Sequence, residues 1–474
     1  MSREIELKLE VAPDAIEALL QQPWLKRAGC KSIEQVSTYY DTTDYELRRR
    51  GYTLRVRAAD GRFIQTVKSL EGGAGRFERG EWEYQIDAGV PDAERLEATP
   101  LAGLDLAPLG PILSSEVTRF ACRLEPAGAE IELAIDSGCI SAAGRQQRVS
   151  EVEIEMVRGE PSWAVEIARK ISAEVPVKLG VMSKVERGFG LVDGTLGQLT
   201  KSAPVALDAS MTVAQAFERI LGACIRHFRL NEAAVLEQRN PEALHQARVA
   251  MRRLRAAMSL FRTAISDQEF ARLRAELRWF TNRLGDARNV DVLLQRDFPS
   301  REREELLDRR EQAYVEVIAA IDSVRLRTLM LDLVAWAALG AWHQNLRAGL
   351  PVSTYVARRI DKLWQKTAGA HHVGLLGDDA RHRLRIEVKK LRYGLEFVTA
   401  LHAHEGKRQK KFSAALEELQ ESLGKLNDMV VARVFAASES WTIEPNVQGD
   451  DERALFHEAN HALRALRKIG SYWR

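Results

Sequence analysis

The sequence predicts an α+β protein in which a strand-rich part precedes an all-helical part. Residues 1–200 repeatedly alternate apolar and polar side chains, as strands with one buried face do. Residues 201–474 instead contain long stretches rich in Ala, Leu, Arg and Glu, which are typical of helices. The net charge changes at the same point, from −7 in the first part to +9 in the second, and all ten histidines lie in the second part. Two domains of different chemistry are therefore expected.

A stretch containing Gly, Ser and Pro, residues 194–204, predicts the connection between the two parts. We expect a first domain over residues 1–195, a linker over 196–209 and a second domain over 210–474. The length of 474 residues and the 45% hydrophobic content are those of a globular chain with a buried core.

Several classes of protein are disfavoured by the composition. No apolar run approaches the roughly 20 residues of a membrane span, and the N-terminus lacks the pattern of a signal peptide. The four cysteines, Cys30, Cys122, Cys139 and Cys224, form no CxxC pair. These features predict a cytoplasmic protein without a membrane partner, a disulfide framework or a zinc site.

Ionic side chains of both signs lie on the polar faces of the predicted strands. Taken singly, each strand fits an antiparallel sheet with one face in water. Taken together, they favour a sheet that closes around a wet lumen, because unpartnered buried charges cost several kcal/mol each. A polyanion and metal cations inside a wide barrel would supply the missing partners. These charged positions include Glu4 and Glu6, Arg55 and Arg57, Lys68, and Glu151, Glu153 and Glu155.

The types of residue on these faces indicate phosphate chemistry. Glu-x-Glu pairs on two strands, in a part of the chain without histidine, suit a hard divalent cation such as Mg²⁺ or Mn²⁺. Arginine and lysine on neighbouring strands suit phosphoryl oxygens. The sequence contains neither a Walker A loop nor GxGxxG, which disfavours a nucleotide cradle at a helix N-terminus.

Short motifs carrying these residues follow one another through the first part. They are Glu4-Ile-Glu6-Leu-Lys8, Thr38-Tyr-Tyr-Asp-Thr42, Leu54-Arg-Val-Arg57, Thr66-Val-Lys68, Arg119, Glu132-Leu-Ala-Ile-Asp136, Glu153-Ile-Glu155 and Ser183-Lys184-Val-Glu-Arg187. This ordered set resembles the CYTH domain, also called the triphosphate tunnel metalloenzyme superfamily. The resemblance implies an antiparallel eight-stranded β-tunnel that binds triphosphates. Family members include inorganic, thiamine and RNA triphosphatases and class IV adenylyl cyclases.

Carried over by position, the resemblance implies a metal site, a phosphate site and catalytic residues. The metal ligands would be Glu4, Glu6, Asp136, Glu153 and Glu155; the phosphate ligands would be Lys8, Arg55, Arg57, Lys68, Arg119, Lys178 and Lys184. Lys8, Arg119, Glu153 and Glu155 would act in catalysis. Our hypothesis is in-line attack of water on a terminal phosphorus, with Glu153 or Glu155 orienting the water and the metal ions neutralising charge.

The second part contains a repeated basic helix. Residues 245–255 and 382–392 both read H-x-x-R-[VI]-x-x-[RK]-[RK]-L-R. Steps of three and four residues place the histidine and three cations of each copy on one helix face. One such face is usually solvated, but two copies favour an anion site. The two columns are His245, Arg248, Arg252 and Arg255, and His382, Arg385, Lys389 and Arg392.

This repeat resembles the CHAD domain, over about residues 205–474. The resemblance implies two pseudo-symmetric helical bundles whose basic surface, formed by the two columns, binds inorganic polyphosphate. Nucleic acid is a rival polyanion, but base stacking requires aromatic residues among the cations, and neither repeat contains one. The sequence therefore favours polyphosphate over nucleic acid.

The two resemblances together predict an enzyme that hydrolyses inorganic triphosphate to pyrophosphate and phosphate with Mg²⁺ or Mn²⁺. The helical domain would bind polyphosphate, in the cytoplasm and in association with polyphosphate granules. Two alternatives remain open: a class IV-like adenylyl cyclase acting on ATP, and a non-catalytic polyphosphate-binding protein.

Overall fold

The structure is a computed structural model that describes residues 2–3, 6–70, 76–77, 80–295, 298–370, 372–438 and 449–473. It consists of two compact units. The first unit comprises Met1–Lys201, Ile225–Ala247 and Tyr314–Leu339. The second unit comprises Ser202–Cys224, Arg248–Ala313 and Gly340–Arg474.

The first unit is built on one antiparallel sheet, as predicted. Among the described residues the sheet has eleven strands, eight of which contain six or more residues. The strands are β1 Ser2–Arg3, β2 Glu6–Val11, β3 Lys31–Thr42, β4 Tyr52–Ala59, β5 Arg62–Ser69, β6 Arg76–Phe77, β7 Gly80–Ile86, β8 Leu109–Leu124, β9 Glu130–Ala142, β10 Arg145–Arg158 and β11 Val177–Leu179. Their order is β1-β7-β5-β4-β3-β8-β9-β10-β2-β11, and β6 also pairs with β2. Among the described residues the path is open, with β1 at one end and β11, beside β2, at the other.

The apolar half of the strand alternation forms the core of this unit. Leu9 of β2 and Val152 and Ile154 of β10 are fully buried on one face. Their polar neighbours point to the opposite face and are also shielded from water. The side chain of Lys8, for example, is only 4% exposed. The polar face of the sheet is therefore an interior surface, which contradicts the alternative that it lies in open water.

Helices make up the remainder of the structure, so the predicted α+β class is confirmed. Six α-helices accompany the strands: α1 Ala15–Leu20, α2 Pro23–Ala28, α3 Glu46–Arg49, α4 Ala93–Leu96, α5 Ser162–Glu174 and α6 Lys184–Asp193. The described part of the chain after residue 201 contains nine more: α7 Val213–Gln238, α8 Pro241–Ile265, α9 Phe270–Leu293, α10 Ser300–Ile321, α11 Val324–Leu339, α12 Val352–Ala368, α13 Asp378–Phe397, α14 Gly406–Ser438 and α15 Gly449–Ile469. None of the described helices combines the length and apolar character that crossing a membrane requires.

Aromatic residues form much of the core of the second unit. The ring of Phe217 lies 5.7 Å from the rings of Phe261 and Trp342, measured between centroids. A separate group surrounds Phe412, whose ring lies 5.2 Å from that of Trp473. Aromatic pairs at these distances add to the stability that burial of the rings provides.

The expectation that the chain lacks disulfides is wrong. Cys30 and Cys122 are bonded, with 4.3 Å between their Cα atoms, whereas Cys139 and Cys224 are free. Cys30 directly precedes β3, and the pairing of Lys31 with Ala121 of β8 places the two cysteines side by side. The 92-residue separation along the sequence concealed this cross-strand neighbourhood.

Candidate active site

The polar face of the sheet lines a cavity of about 720 Å³ in the first unit. Residues of eight long strands and of the N-terminus of α6 line it. Among the lining residues are the predicted Glu6, Lys8, Arg55, Arg57, Lys68, Arg119, Asp136, Glu153, Glu155 and Lys184, together with Glu81, Glu83 and Glu132. The structure thus brings ten of the predicted tunnel residues into one cavity. The predicted ligand Glu4 lies outside the described residues.

Three lysine and arginine side chains are already paired with carboxylates at one part of the cavity wall. Arg119 donates to both carboxylate oxygens of Asp136, at 2.7 and 2.6 Å, and to Glu153 at 2.6 Å. Lys8 donates to Glu153 at 2.7 Å, and Lys184 lies 2.7 Å from Asp136. Burial alone would raise the pKa of Glu153, but Lys184, Lys8 and Arg119 hold it well below its usual value.

Glu151 belongs to the same group, although it was not among the predicted site residues. Its side chain is fully buried and accepts hydrogen bonds from Lys8, Lys184 and Arg187. These cations outweigh burial and lower the pKa of Glu151 to about 2. Carboxylate oxygens of Glu151, Glu153 and Asp136 lie within 4.8 Å of one another. This geometry could hold a metal ion, so the assignment of Asp136 and Glu153 as metal ligands stays a prediction, and in the structure the same carboxylates hold Lys8, Lys184 and Arg119.

A second carboxylate group is neutralised less completely. In the strand register Glu155 of β10 pairs with Glu6 of β2 on one side and with Glu132 of β9 on the other. Burial and the charge of Glu153 raise the pKa of Glu6, whereas burial, Glu132 and Glu6 raise the pKa of Glu155. The Oε1 atom of Glu6 is buried without a hydrogen-bond partner, and it lies 3.7 Å from the ammonium of Lys8. A buried oxygen among crowded carboxylates fits a hard divalent cation that prefers oxygen ligands.

Two arginines form a cationic wall in the same cavity. The Nε atoms of Arg55 and Arg57 are buried and make no hydrogen bond. The charge of Arg55, together with burial, lowers the pKa of Arg57 to about 10. Arg55 contacts Thr66 at 2.9 Å, and the nearby Lys68 pairs with Glu81 at 2.9 Å. Crowded guanidinium groups with unused donors fit an anion that accepts several hydrogen bonds, such as a phosphoryl group.

The structure does not bring Lys178, a predicted phosphate ligand, into the cavity. Its ammonium lies 2.7 Å from Glu232 of α7, and the side chain does not line the cavity. Lys178 pairs in register with Glu10, at the end of β2, where the strand has passed the cavity. The short strand β11 therefore supports the wall instead of supplying a ligand.

The second unit brings cations of both predicted columns together. Burial, Arg252 and Arg385 lower the pKa of Lys389 to about 5 and that of Arg248 to about 10. The Nε atoms of Arg248 and Arg385, which occupy equivalent positions in the two repeats, are buried without hydrogen-bond partners. This basic cluster, defined as Arg248, Arg252, Arg385 and Lys389, has the properties of a polyanion site.

The remaining column residues have other surroundings. Arg255 lies near Arg274 and Arg278 of α9, and burial together with these charges lowers its pKa. Arg392 donates to Gln420 at 2.6 Å, and His382 Nδ1 lies 2.9 Å from Asn427 Oδ1. His245 belongs to the stretch Ile225–Ala247 of the first unit.

Helix α9 contributes further basic residues that the repeat did not identify. The charge of Arg288 also lowers the pKa of Arg248, after burial, Arg252 and Arg385. A Cβ atom at Gly285 would lie 3.6 Å from Arg248 Nε, so this glycine lies against the guanidinium. Gly285 and Arg288 belong to the stretch Leu284-Gly-Asp-Ala-Arg288 of α9, and the sequence alone does not connect this stretch to α8.

The first unit is thus an antiparallel sheet whose polar face, with carboxylates and arginines, lines a cavity, and a helical region with a basic cluster follows in the sequence. Residues 2–189 match the model of the CYTH domain, and residues 219–437 match that of the CHAD domain. The chain is therefore a CYTH–CHAD protein.

Relatives with known names include an inorganic triphosphatase of Haemophilus influenzae, which is 28% identical over 195 residues. That alignment covers 40% of this chain, and this chain spans only 55% of that relative. An uncharacterized protein of Mycobacterium tuberculosis is 26% identical over 491 residues, covering 94% of this chain and 90% of that protein.

Solved structures resemble each half. The CHAD domain of the plant Ricinus communis has 30% identity and a TM-score of 0.46, covering 57% of this chain and 95% of that one. A Hippeastrum protein, named as an adenylyl cyclase with a dominant triphosphatase activity, has 22% identity and a TM-score of 0.30. The match covers 41% of this chain and 97% of that chain.

Proposed function

We propose that this chain hydrolyses inorganic triphosphate to pyrophosphate and phosphate in its β-tunnel, with Mg²⁺ or Mn²⁺. The observation that carries the proposal is the separation of charge in one cavity. A carboxylate group of Glu6, Glu132 and Glu155, which nearby lysines neutralise only in part, lines the same space as Arg55 and Arg57, whose buried Nε atoms make no hydrogen bond. The name of the Haemophilus influenzae relative supports the choice of substrate.

Each group has a distinct role in this proposal. Arg55 and Arg57 donate hydrogen bonds to phosphoryl oxygens and orient the phosphate chain. Glu6, Glu132 and Glu155 would hold a divalent cation, which would neutralise phosphoryl charge and lower the pKa of water. The all-oxygen donor set suits both Mg²⁺ and Mn²⁺.

The cations that are paired with carboxylates would complete the phosphate site. Lys8, Lys184 and Arg119 are held rigidly by Glu153 and its neighbours, so they face the substrate without losing further conformational freedom. Glu153, whose pKa is held low, serves as their charge partner and is a weak proton acceptor. We therefore assign the orientation of the attacking water to Glu155 in preference to Glu153.

The basic cluster of the second unit would bind inorganic polyphosphate. Its buried guanidinium Nε atoms and crowded charges demand an anion but no base-specific contacts. Such binding should weaken as salt screens the charges. A salt titration tests this site: polyphosphate binding is measured for the full chain and for the double variant Arg252→Ala, Lys389→Ala. Affinity that ignores ionic strength, or that survives the double substitution, would reject this site.

A phosphate-release panel on the full chain tests the enzymatic proposal. Tripolyphosphate, ATP, thiamine triphosphate and long-chain polyphosphate are compared with Mg²⁺, with Mn²⁺ and with a chelator. Preferential, metal-dependent cleavage of tripolyphosphate is expected. Cyclic AMP from ATP would favour the adenylyl cyclase, and metal-dependent binding of tripolyphosphate without cleavage would favour the non-catalytic protein.

A further inference from the structure

We propose that Arg226 and Arg229 of α7 are positioning residues that hold the cavity wall carrying Lys184. Their effect on turnover rests on the proposed function, whereas their effect on the wall does not. Both arginines belong to the same compact unit as the sheet, although they lie within the residues that match the CHAD domain.

The wall in question is the irregular segment that joins β11 to α6, residues 180–183. It leads directly into the cavity, because Ser183 and Lys184 are lining residues. The backbone N–H of Gly180 donates to the carbonyl oxygen of Lys8 at 2.9 Å. The segment thus touches two of the cavity lysines: it leads into Lys184 through the chain and contacts Lys8 through the backbone of β2.

Arg229 fixes the beginning of this segment. Its Nε atom donates to the carbonyl oxygen of Leu179 at 2.9 Å, and its Nη2 atom donates to Glu10 at 2.8 Å. Its Nη1 atom donates to Glu232, which also pairs with Lys178. Because all three nitrogens of a planar, buried guanidinium are engaged, its orientation is fixed.

Arg226, one helical turn earlier, fixes the end of the segment. It donates to the carbonyl oxygen of Val181 and lies 3.1 Å from one carboxylate oxygen of Glu186. The other oxygen of Glu186 accepts from the backbone N–H of Ser183 at 2.7 Å and from its hydroxyl at 2.9 Å. This reciprocal capping box begins α6 at Lys184. A continuous series of hydrogen bonds therefore leads from Arg226 to the residue before Lys184.

A small displacement of Lys184 would disturb the cavity, so the two arginines that hold its wall should also affect turnover. Its ammonium lies 2.7 Å from Asp136 and 3.1 Å from Glu153. A shift of about 1 Å in such a group can reduce turnover about a hundredfold. Without Arg226 the carbonyl of Val181 and the carboxylate of Glu186 each lose a donor, so the segment gains freedom to move.

Hydrogen–deuterium exchange on the full chain tests the structural part of the inference. Arg226→Ala should speed exchange in peptides that cover residues 177–187, while β8 and β9 remain protected. The matched control is Arg219→Ala on the same helix, whose guanidinium donates instead to the carbonyl oxygen of Ala206 at 2.8 Å. Unchanged exchange over residues 177–187 in Arg226→Ala would overturn the inference, whether or not the protein is active.

Kinetics with tripolyphosphate test the functional part. Arg226→Ala should lower kcat about tenfold to a hundredfold with a smaller change in KM. Combined with Lys184→Ala, it should add little to the loss caused by Lys184→Ala alone, because both act through one ammonium group. If the kcat losses of the two single variants multiply in the double variant, Arg226 does not act through Lys184 and the inference is overturned. An inactive wild-type protein would reject the proposed function instead and leave the exchange result to decide the structural part.

A conservative variant guards against misfolding. Arg226→Lys keeps the charge but cannot bridge the carbonyl of Val181 and the carboxylate of Glu186 with one rigid fork. Intermediate exchange and intermediate kcat are expected for this variant. If the exchange rates and kcat of Arg226→Lys equal those of Arg219→Ala, the charge alone suffices and the bridging role is overturned.

Discussion

Glu6 and Glu155 face each other across β2 and β10, and the folded protein raises the pKa of both carboxyl groups. Two carboxylates in direct register, with Glu132 beside them, repel one another in the absence of a cation. The same carboxylates would bind a divalent cation strongly because their repulsion is then relieved. This arrangement connects the stability of the tunnel to its proposed metal.

Replacing Glu155 by Gln should lower the metal-dependent triphosphatase activity about a hundredfold or more without unfolding the protein. The substitution removes a negative charge from a crowded group, so Tm without metal should stay equal or rise. The increase in Tm that Mn²⁺ causes in the wild type should disappear. Full activity together with an unchanged response to Mn²⁺ would contradict the assignment of Glu155.

The pH dependence of stability should reveal the same carboxylates. A raised pKa means that the folded protein binds more protons than the unfolded chain above the ordinary value of 4.5. These two carboxyl groups should therefore contribute stability that decreases as pH rises through this window, and Glu155→Gln should remove part of that contribution. Denaturant titrations of wild type and Glu155→Gln at several pH values measure the difference between the two proteins. A difference in the free energy of unfolding that does not change with pH would contradict the raised pKa of Glu155.

Much of the tunnel was predictable because strand alternation and residue type act locally. Alternation placed Glu6 and Lys8 on one face, and a charged face that recurs on many strands required an enclosed, wet interior. The sequence could not show which charges neutralise each other. Glu151 proved to be a buried partner of the lysines and Glu132 a neighbour of Glu155, since both relations depend on strand register.

Long-range neighbours were the main source of error. Lys178 follows the motif pattern but pairs with Glu232, which is contributed by a helix more than fifty residues further along. The bond between Cys30 and Cys122 likewise depends on the pairing of β3 with β8. Local periodicity contains no information about either contact.

Arg57 should be important for substrate binding and dispensable for folding. Its pKa is lowered because Arg55 repels it and because it is buried, so the charged side chain is not stabilised by the fold. Arg57→Ala should raise KM for tripolyphosphate about tenfold to a hundredfold with equal or higher Tm. Arg57→Lys should recover only part of the affinity because it lacks the fork. The matched control, Arg62→Ala at the exposed start of β5, should leave KM unchanged; equal effects of the two alanine variants would contradict this role.

Gly180 should be indispensable because of its distance from Lys8. A Cβ atom at this position would lie 2.5 Å from Lys8 Cγ, which forces the lysine or the segment to move. Gly180→Ala should reduce the free energy of unfolding by about 1–3 kcal/mol and lower kcat. Gly110→Ala on β8 is the control, since a Cβ there meets no atom within 4 Å. Denaturant unfolding and phosphate release measure both effects, and equal results for the two variants would refute the steric argument.

Binding of polyphosphate to the basic cluster should take up a proton. Burial, Arg252 and Arg385 lower the pKa of Lys389 to about 5, so this amine is neutral in the free protein at pH 7. Phosphates beside it favour the charged form and return its pKa toward the ordinary value of 10.5. Between these values affinity should therefore fall as pH rises, by at most about tenfold per pH unit.

Calorimetry between about pH 6 and 9, in buffers of different ionisation enthalpy, measures this proton uptake by Lys389. Lys389→Arg is the decisive comparison, because arginine stays charged throughout this range and should bind without the pH dependence. Other titrating or charged groups near the cluster, His382 and Asp428 among them, are unchanged in that variant, so they cannot account for a difference between the two proteins. Identical pH profiles of wild type and Lys389→Arg would show that Lys389 is already charged in the free protein, and the proton uptake would then have to be assigned elsewhere.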